Sequence, residues 1–132
     1  MFLIAGIAIL YTLGFIYRWN FELWWFDVLL HFLGGMWVAI AANRFFVRPI
    51  GPIGLIGPIL VVALVAFVGV GWEVYEFTID ELFFEDRALW RAQDGNTDTM
   101  TDLMMDVLGG IIVAGYTAYT SYRSSRSYER ST

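Results

Sequence analysis

Six carboxylates and the only histidine of this sequence fall into three short runs: Asp27 with His31, Glu73 with Glu76, and Asp98 with Asp102 and Asp106. Residues three or four apart share one face of a helix, so each run would present its groups together. The last run would form a ladder descending ~12 Å, at roughly 1.5 Å per residue. Carboxylate oxygens suit Mg²⁺, Mn²⁺ or Ca²⁺, and one imidazole extends the choice to Zn²⁺ or Fe²⁺. These seven residues are the candidate ligands of a divalent metal cofactor. His31, Glu73 and Asp102 are the candidate catalytic groups, with a spare carboxylate or the imidazole as base.

Each residue also has a plainer reading. Asp98 and Asp27 suit helix N-caps, where a carboxylate satisfies free N–H groups and favours the dipole. Glu73 and Glu76 fall at the end of an apolar run, where the dipole disfavours negative charge, so capping does not explain them; a wet interface would. A lone histidine is more often a satisfied core residue than a ligand. Asp102 and Asp106 are harder to dismiss, because Asp106 is about two turns inside its helix. Asp94, Asn96 and Asp98 resemble the start of a calcium loop. Thr99 at the glycine position and Met105 at the glutamate position exclude an EF-hand.

The elements that must position these groups are apolar. The 132-residue chain, enough for one domain, is 58% hydrophobic and 16% charged. Soluble domains carry about 25% charged residues. There is no cysteine, which excludes disulfides, thiolate metal sites and cysteine nucleophiles. Every basic residue other than the histidine is an arginine, and the net charge of −5 argues against a nucleic-acid partner.

A membrane-spanning helix needs roughly 20 mostly apolar residues. Four segments approach that: Met1 to about Tyr17, about Trp24 to Phe46, Ile53 to about Phe77, and about Thr99 to Tyr122. The first lacks a basic n-region and a clear cleavage site, so it reads as a retained helix and not a signal peptide. The expected fold is all-α, a polytopic transmembrane bundle of four helices over residues 1–122, in contact with membrane lipids. Residues Arg18–Leu23 and Val47–Pro52 form short connections, the second broken by Pro49 and Pro52. Thr78–Asp98 is the one long loop, acidic over about 79–97, with a stretch around Asp80–Trp90 suited to a short interfacial helix. Asp94-Gly95-Asn96 reads as a turn. Residues 123–132 read as a loose polar tail.

Four spans place both termini on one side, together with Arg44, Arg48, Arg123, Arg126 and Arg130. Only Arg18, Arg87 and Arg91 lie on the other side. Basic residues favour the cytoplasm, so the termini are expected inside, in the plasma membrane of a bacterium or archaeon. The same topology carries all three site runs to the outer face. Charge in hydrocarbon is costly, so these groups should face the bundle interior or a wet cavity. Gly34-Gly35 with Ala39, Gly69 with Gly71, and Gly109-Gly110 with Ala114 are the close-packing signals on the same helices. Crowded carboxylates repel, and a cation is the attractive counter-charge.

In order, Asp27-Val-Leu-Leu-His31-Phe-Leu-Gly34, Trp72-Glu73-Val-Tyr-Glu76-Phe77 and Asp98-Thr99-Met-Thr-Asp102-Leu-Met-Met-Asp106-Val-Leu-Gly109 resemble the YjdF-type inner-membrane proteins and, more loosely, the VanZ-like membrane proteins. The resemblance covers roughly Asp27 to Gly110. It implies membrane residence and a shared polar site, without a settled activity. VanZ-like members often carry an arginine before the late aspartates; here only Arg91 is near enough to serve. Three functions stay open: a metal-dependent enzyme on a lipid phosphate or related headgroup, a cation, proton or ligand binding or transport protein, and a non-catalytic accessory subunit of a homo-oligomer or larger membrane complex.

Overall fold

The computed structural model describes residues 2–51, 54–84, 92–93 and 95–129. All regular structure among them is helical. Helix α1 (Phe2–Ile16) is followed by the one-turn α2 (Trp19–Glu22), with Arg18 in the left-handed region at φ 63° between them. Helix α3 (Trp24–Ala42) passes through a π-helical turn (Asn43–Val47) into α4 (Arg48–Ile50). Helix α5 (Ile56–Phe83) and helix α6 (Asn96–Glu129) complete the chain.

Three helical stretches are long and apolar enough to cross a membrane: Trp24–Ile50, Ile56–Phe83 and Asn96–Ser124. No more than 33% of the apolar window in any of them is buried within the chain. The outward faces carry Phe67, Val70, Val74, Ile111 and Ile112, all exposed. A water-soluble bundle would bury such side chains; in hydrocarbon they are at no disadvantage. Helix α1 is apolar but shorter, and its 15 residues reach only ~22 Å against a hydrocarbon core of about 30 Å.

Several boundaries depart from those the sequence suggests. The expected Val47–Pro52 connection is helical through Ile50. Pro49 does not stop the helix where a breaker should. Its ring would strike the carbonyl four residues back, that of Phe45, and Phe45 lies in the widened π turn that makes room. The chain leaves the helix at Gly51, φ 94°, and turns again at Gly54, φ 58°. Helix α5 starts at Ile56, past the expected Ile53, which lies outside the described residues. It also runs on past Phe77 to Phe83, because Glu73, Glu76 and Asp80 keep a helical spacing on its buried side. The expected loop from Thr78 is therefore helix for its first six residues, and the interfacial helix is absent over Asp80–Phe83; residues 85–91 lie outside the described part. Gly95 turns at φ 89°, but Asn96 already belongs to α6 and Asp94 lies outside the described residues. At the other end, α6 continues to Glu129 where a loose tail was expected.

Helices α3, α5 and α6 pack on one another, and α1 lies against α3. Helices α3 and α6 run parallel, with α5 antiparallel to both. Gly35 meets Asp106, Gly109 meets Phe32 and Met36, and Gly110 meets Val65. At the arginine-bearing end, Ala39, Val61, Val65, Val113 and Ala114 form a closed apolar core. Of the glycines expected at close approaches, Gly35, Gly69, Gly109 and Gly110 lie at them, whereas Gly34 has only Asp106 Oδ1 at 3.9 Å and Gly71 has open space beside it.

Candidate metal centre

The parallel pairing of α3 with α6 brings His31 to the height of Asp106, and antiparallel α5 brings Glu73 to the same level. The imidazole of His31 lies between the two helices. Its Nδ1 is 3.3 Å from Asp106 Oδ2 and its Nε2 is 3.9 Å from Glu73 Oε1. The first distance suits a long hydrogen bond. The second is too long for one and leaves Nε2 facing a carboxylate across a gap.

Five carboxylates surround this ring. His31, Glu73, Glu76, Asp102 and Asp106 are all buried, and Asp27 is partly buried. Two groups of donor atoms lie within 4.8 Å of one another: Asp27, His31 and Asp102, and His31, Glu73 and Glu76. A cation held by oxygens at 2.0–2.6 Å has its ligand atoms separated by such distances. Asp106 belongs to neither group; its Oδ2 contacts Nδ1 of the ring. Asp98, placed on the same ladder by the sequence, is half-buried and also outside both groups, one turn beyond Asp102.

The hydrogen bonding of the cluster is incomplete. Glu73 is 4% exposed and Asp102 is 1% exposed. Glu73 Oε1 and Asp102 Oδ1 have no hydrogen-bond partner. A buried carboxylate oxygen without a donor is costly, and native interiors hold few such atoms. Both orphaned oxygens belong to the donor groups that share His31. Among the described residues lining the adjoining cavity, His31 is the one basic side chain.

Close packing makes the niche for Asp106. A Cβ on Gly69 would lie 2.6 Å from Asp106 Oδ2, and one on Gly35 would collide with the Asp106 backbone carbonyl. Only glycine at these two positions lets α6 bring its carboxylate between α3 and α5.

Two residues of the cluster escaped the sequence reading. Asp80 is buried and accepts hydrogen bonds from the backbone N–H groups of Ala92 (3.0 Å to Oδ1) and Gln93 (2.8 Å to Oδ2). Gln93 Nε2 then donates to Glu73 Oε2 at 2.8 Å and to the Glu73 carbonyl at 3.2 Å. The returning chain is thereby tied to α5, and one oxygen of Glu73 is fixed while the other is left open. The 3-and-4 spacing of Glu73, Glu76 and Asp80 carried the signal for Asp80. Nothing in the local sequence marked Gln93.

Asp80→Ala is expected to lower stability by about 1–3 kcal/mol, because it strands two N–H groups. Leu82→Ala, on the exposed side of the same turn, should stay within about 0.5 kcal/mol. Thermal unfolding of the two variants in detergent gives the comparison; equal midpoints would mean that the tether contributes nothing.

Fold and site together define a helical integral membrane protein with a buried carboxylate–histidine cluster. The chain belongs to the YjdF family, described as a predicted membrane protein (DUF2238), which matches residues 1–123. A relation to the VanZ-like proteins is not shown by that match. No curated protein and no solved structure matches the chain.

Proposed function

We propose that this chain binds a divalent cation in its membrane-embedded cluster and uses it to hydrolyse a lipid phosphate or related headgroup. The observation that carries the reading is the pair of buried, unpartnered oxygens, Glu73 Oε1 and Asp102 Oδ1, in donor groups sharing His31. His31 Nε2, Glu73 and Glu76 are the proposed first ligands. Asp106, on Nδ1, fixes the ring and its tautomer, as a carboxylate behind a metal-bound histidine does. Asp27 and Asp102 complete the shell on the other side, and one of them accepts the proton of the attacking water. Asp98 belongs to the mouth of the site. A bound cation would polarise the phosphoryl oxygen and lower the cost of forming hydroxide.

In this reading α1 completes a four-span topology in the plasma membrane of a bacterium or archaeon, with both termini cytoplasmic and the cluster at headgroup depth in the outer leaflet. The apolar core of Ala39, Val61, Val65, Val113 and Ala114 counts against a cation path through one chain.

The test is phosphate release from phospholipid phosphates by the purified protein, with Mn²⁺ or Mg²⁺ and with chelator. Metal-dependent turnover, reduced at least 100-fold in Glu73→Gln, is expected. No turnover of any phosphate class with metal bound would rule out the enzymatic half. Ion flux in proteoliposomes that Asp106→Asn abolishes would move the assignment to transport.

A further inference from the structure

Asp27, His31, Glu76 and Asp106 of the cluster line a cavity of about 360 Å³ between α1, α3 and α5. Each helix gives the cavity one stripe. Helix α1 contributes Ile4, Ile7, Ala8 and Tyr11, the i, i+3, i+4, i+7 pattern of a single face. Helix α5 contributes Val65, Val68, Trp72 and Glu76 along another such face. On α3 the lining runs from Asp27 to Val38. Asp27, His31 and Glu76 sit toward one end, and Asp106 of α6 enters farther down, beside Gly34 and Gly69; apart from these and Tyr11 the wall is apolar.

From Asp27 to Val38, or from Val65 to Glu76, is eleven residues, ~16 Å along a helix axis. The hydrocarbon of one leaflet is about half of 30 Å deep. The cavity therefore spans about the depth of one leaflet, with its ionisable groups in the half toward Asp27 and Glu76 and an apolar half toward Val38 and Val65. Ligand pockets of this volume are typically apolar with a few convergent polar groups.

We propose that this cavity is a lipid-binding groove, holding one hydrocarbon chain along α1, α3 and α5 with the lipid's phosphate-type headgroup at the carboxylate–histidine end. The headgroup half rests on the cation reading above, since carboxylates alone repel a phosphate. The chain half does not. Helix α1 rests on α3 and makes little contact with α5. The α1–α5 flank is the route by which a lipid slides in from the leaflet without leaving hydrocarbon.

The test uses the full chain in detergent, incubated with monoacylglycerol phosphate or with glycerol phosphate as the headgroup-only probe. Native mass spectrometry reads the bound lipid, and elemental analysis of the same samples reads the metal. Ala8→Trp and Val68→Trp fill the groove from opposite walls, at positions outside both donor groups. Ile9→Trp, on the exposed face of α1, controls for the added indole. Wild type and Ile9→Trp should retain the acyl probe at least tenfold more than glycerol phosphate. Both filled variants should lose that preference while holding as much metal as wild type.

Equal retention of the two probes by wild type would overturn the groove. So would undiminished acyl retention in both filled variants, or a chain dimer occupying the cavity in place of lipid. If no sample holds metal but the acyl pattern persists, the cation reading fails and the groove stands.

Discussion

Asp106→Asn is expected to bind divalent metal roughly 10–100-fold more weakly than wild type, whereas His31→Ala should bind none above background. The difference follows from where the two residues sit. Asp106 reaches Nδ1 at 3.3 Å and is outside both donor groups, while His31 is common to both. An asparagine keeps an oxygen that can accept the Nδ1–H bond, so ring orientation survives and only the charge support is lost. Removing the imidazole takes a ligand from either donor group and leaves the carboxylates to repel one another. Mn²⁺ titration followed by calorimetry, with both variants in the same detergent, gives the ratio. If Asp106→Asn is as dead as His31→Ala, Asp106 is itself a ligand and the orienting role is wrong.

Gly35→Val should disrupt the bundle, at a cost above about 3 kcal/mol, beyond the usual range for overpacking. A Cβ at position 35 would stand 2.7 Å from both the Cα and the carbonyl carbon of Asp106 and would meet its carbonyl oxygen as well. These are backbone atoms, so no rotamer change relieves the clash, and α3 and α6 must separate. Separation also withdraws Asp106 from the ring. Gly34 is the natural comparator, because a Cβ there would have only Asp106 Oδ1 within reach, at 3.9 Å. Gly34→Ala should therefore fold and bind metal. Size-exclusion profiles and unfolding midpoints of the two variants separate the cases. A Gly35→Val protein as stable as Gly34→Ala would mean that the helices do not cross there.

The two predictions draw on different parts of what the residues reveal. Apolar run lengths made the long helices legible, since a chain this poor in charge has little else to build with. The face-sharing of Asp27 with His31, and of Asp102 with Asp106, followed from helical spacing alone. Which of these groups meet is a matter of helix register, and spacing is silent on it. The glycines at positions 35, 69 and 109 marked close approach, but not the partner approached. That is why Asp106 looked equivalent to Asp102, and only the pairing of α3 with α6 sends one toward Nδ1 and the other into a donor group.

Helix ends were the least legible feature. Charge at Glu73 and Glu76 suggests the edge of the membrane, and with it a loop at Thr78 and Asp80. In the fold the same carboxylates point inward, and the helix carries Asp80 on to receive the returning chain. Gln93 had no periodic or motif context. Its role depends on contacts with Glu73 and Asp80, distant in sequence.

The most direct test of the account is the metal content of the purified protein, wild type beside Asp102→Asn and His31→Ala. The prediction is about one divalent ion per chain in wild type and little or none in either variant, because an orphaned buried oxygen and its imidazole neighbour are held to be its ligands. Metal-free protein in every preparation, even after incubation with Mg²⁺, Mn²⁺, Ca²⁺ or Zn²⁺, would contradict it and leave a cluster of protonated carboxylates in a binding or accessory role.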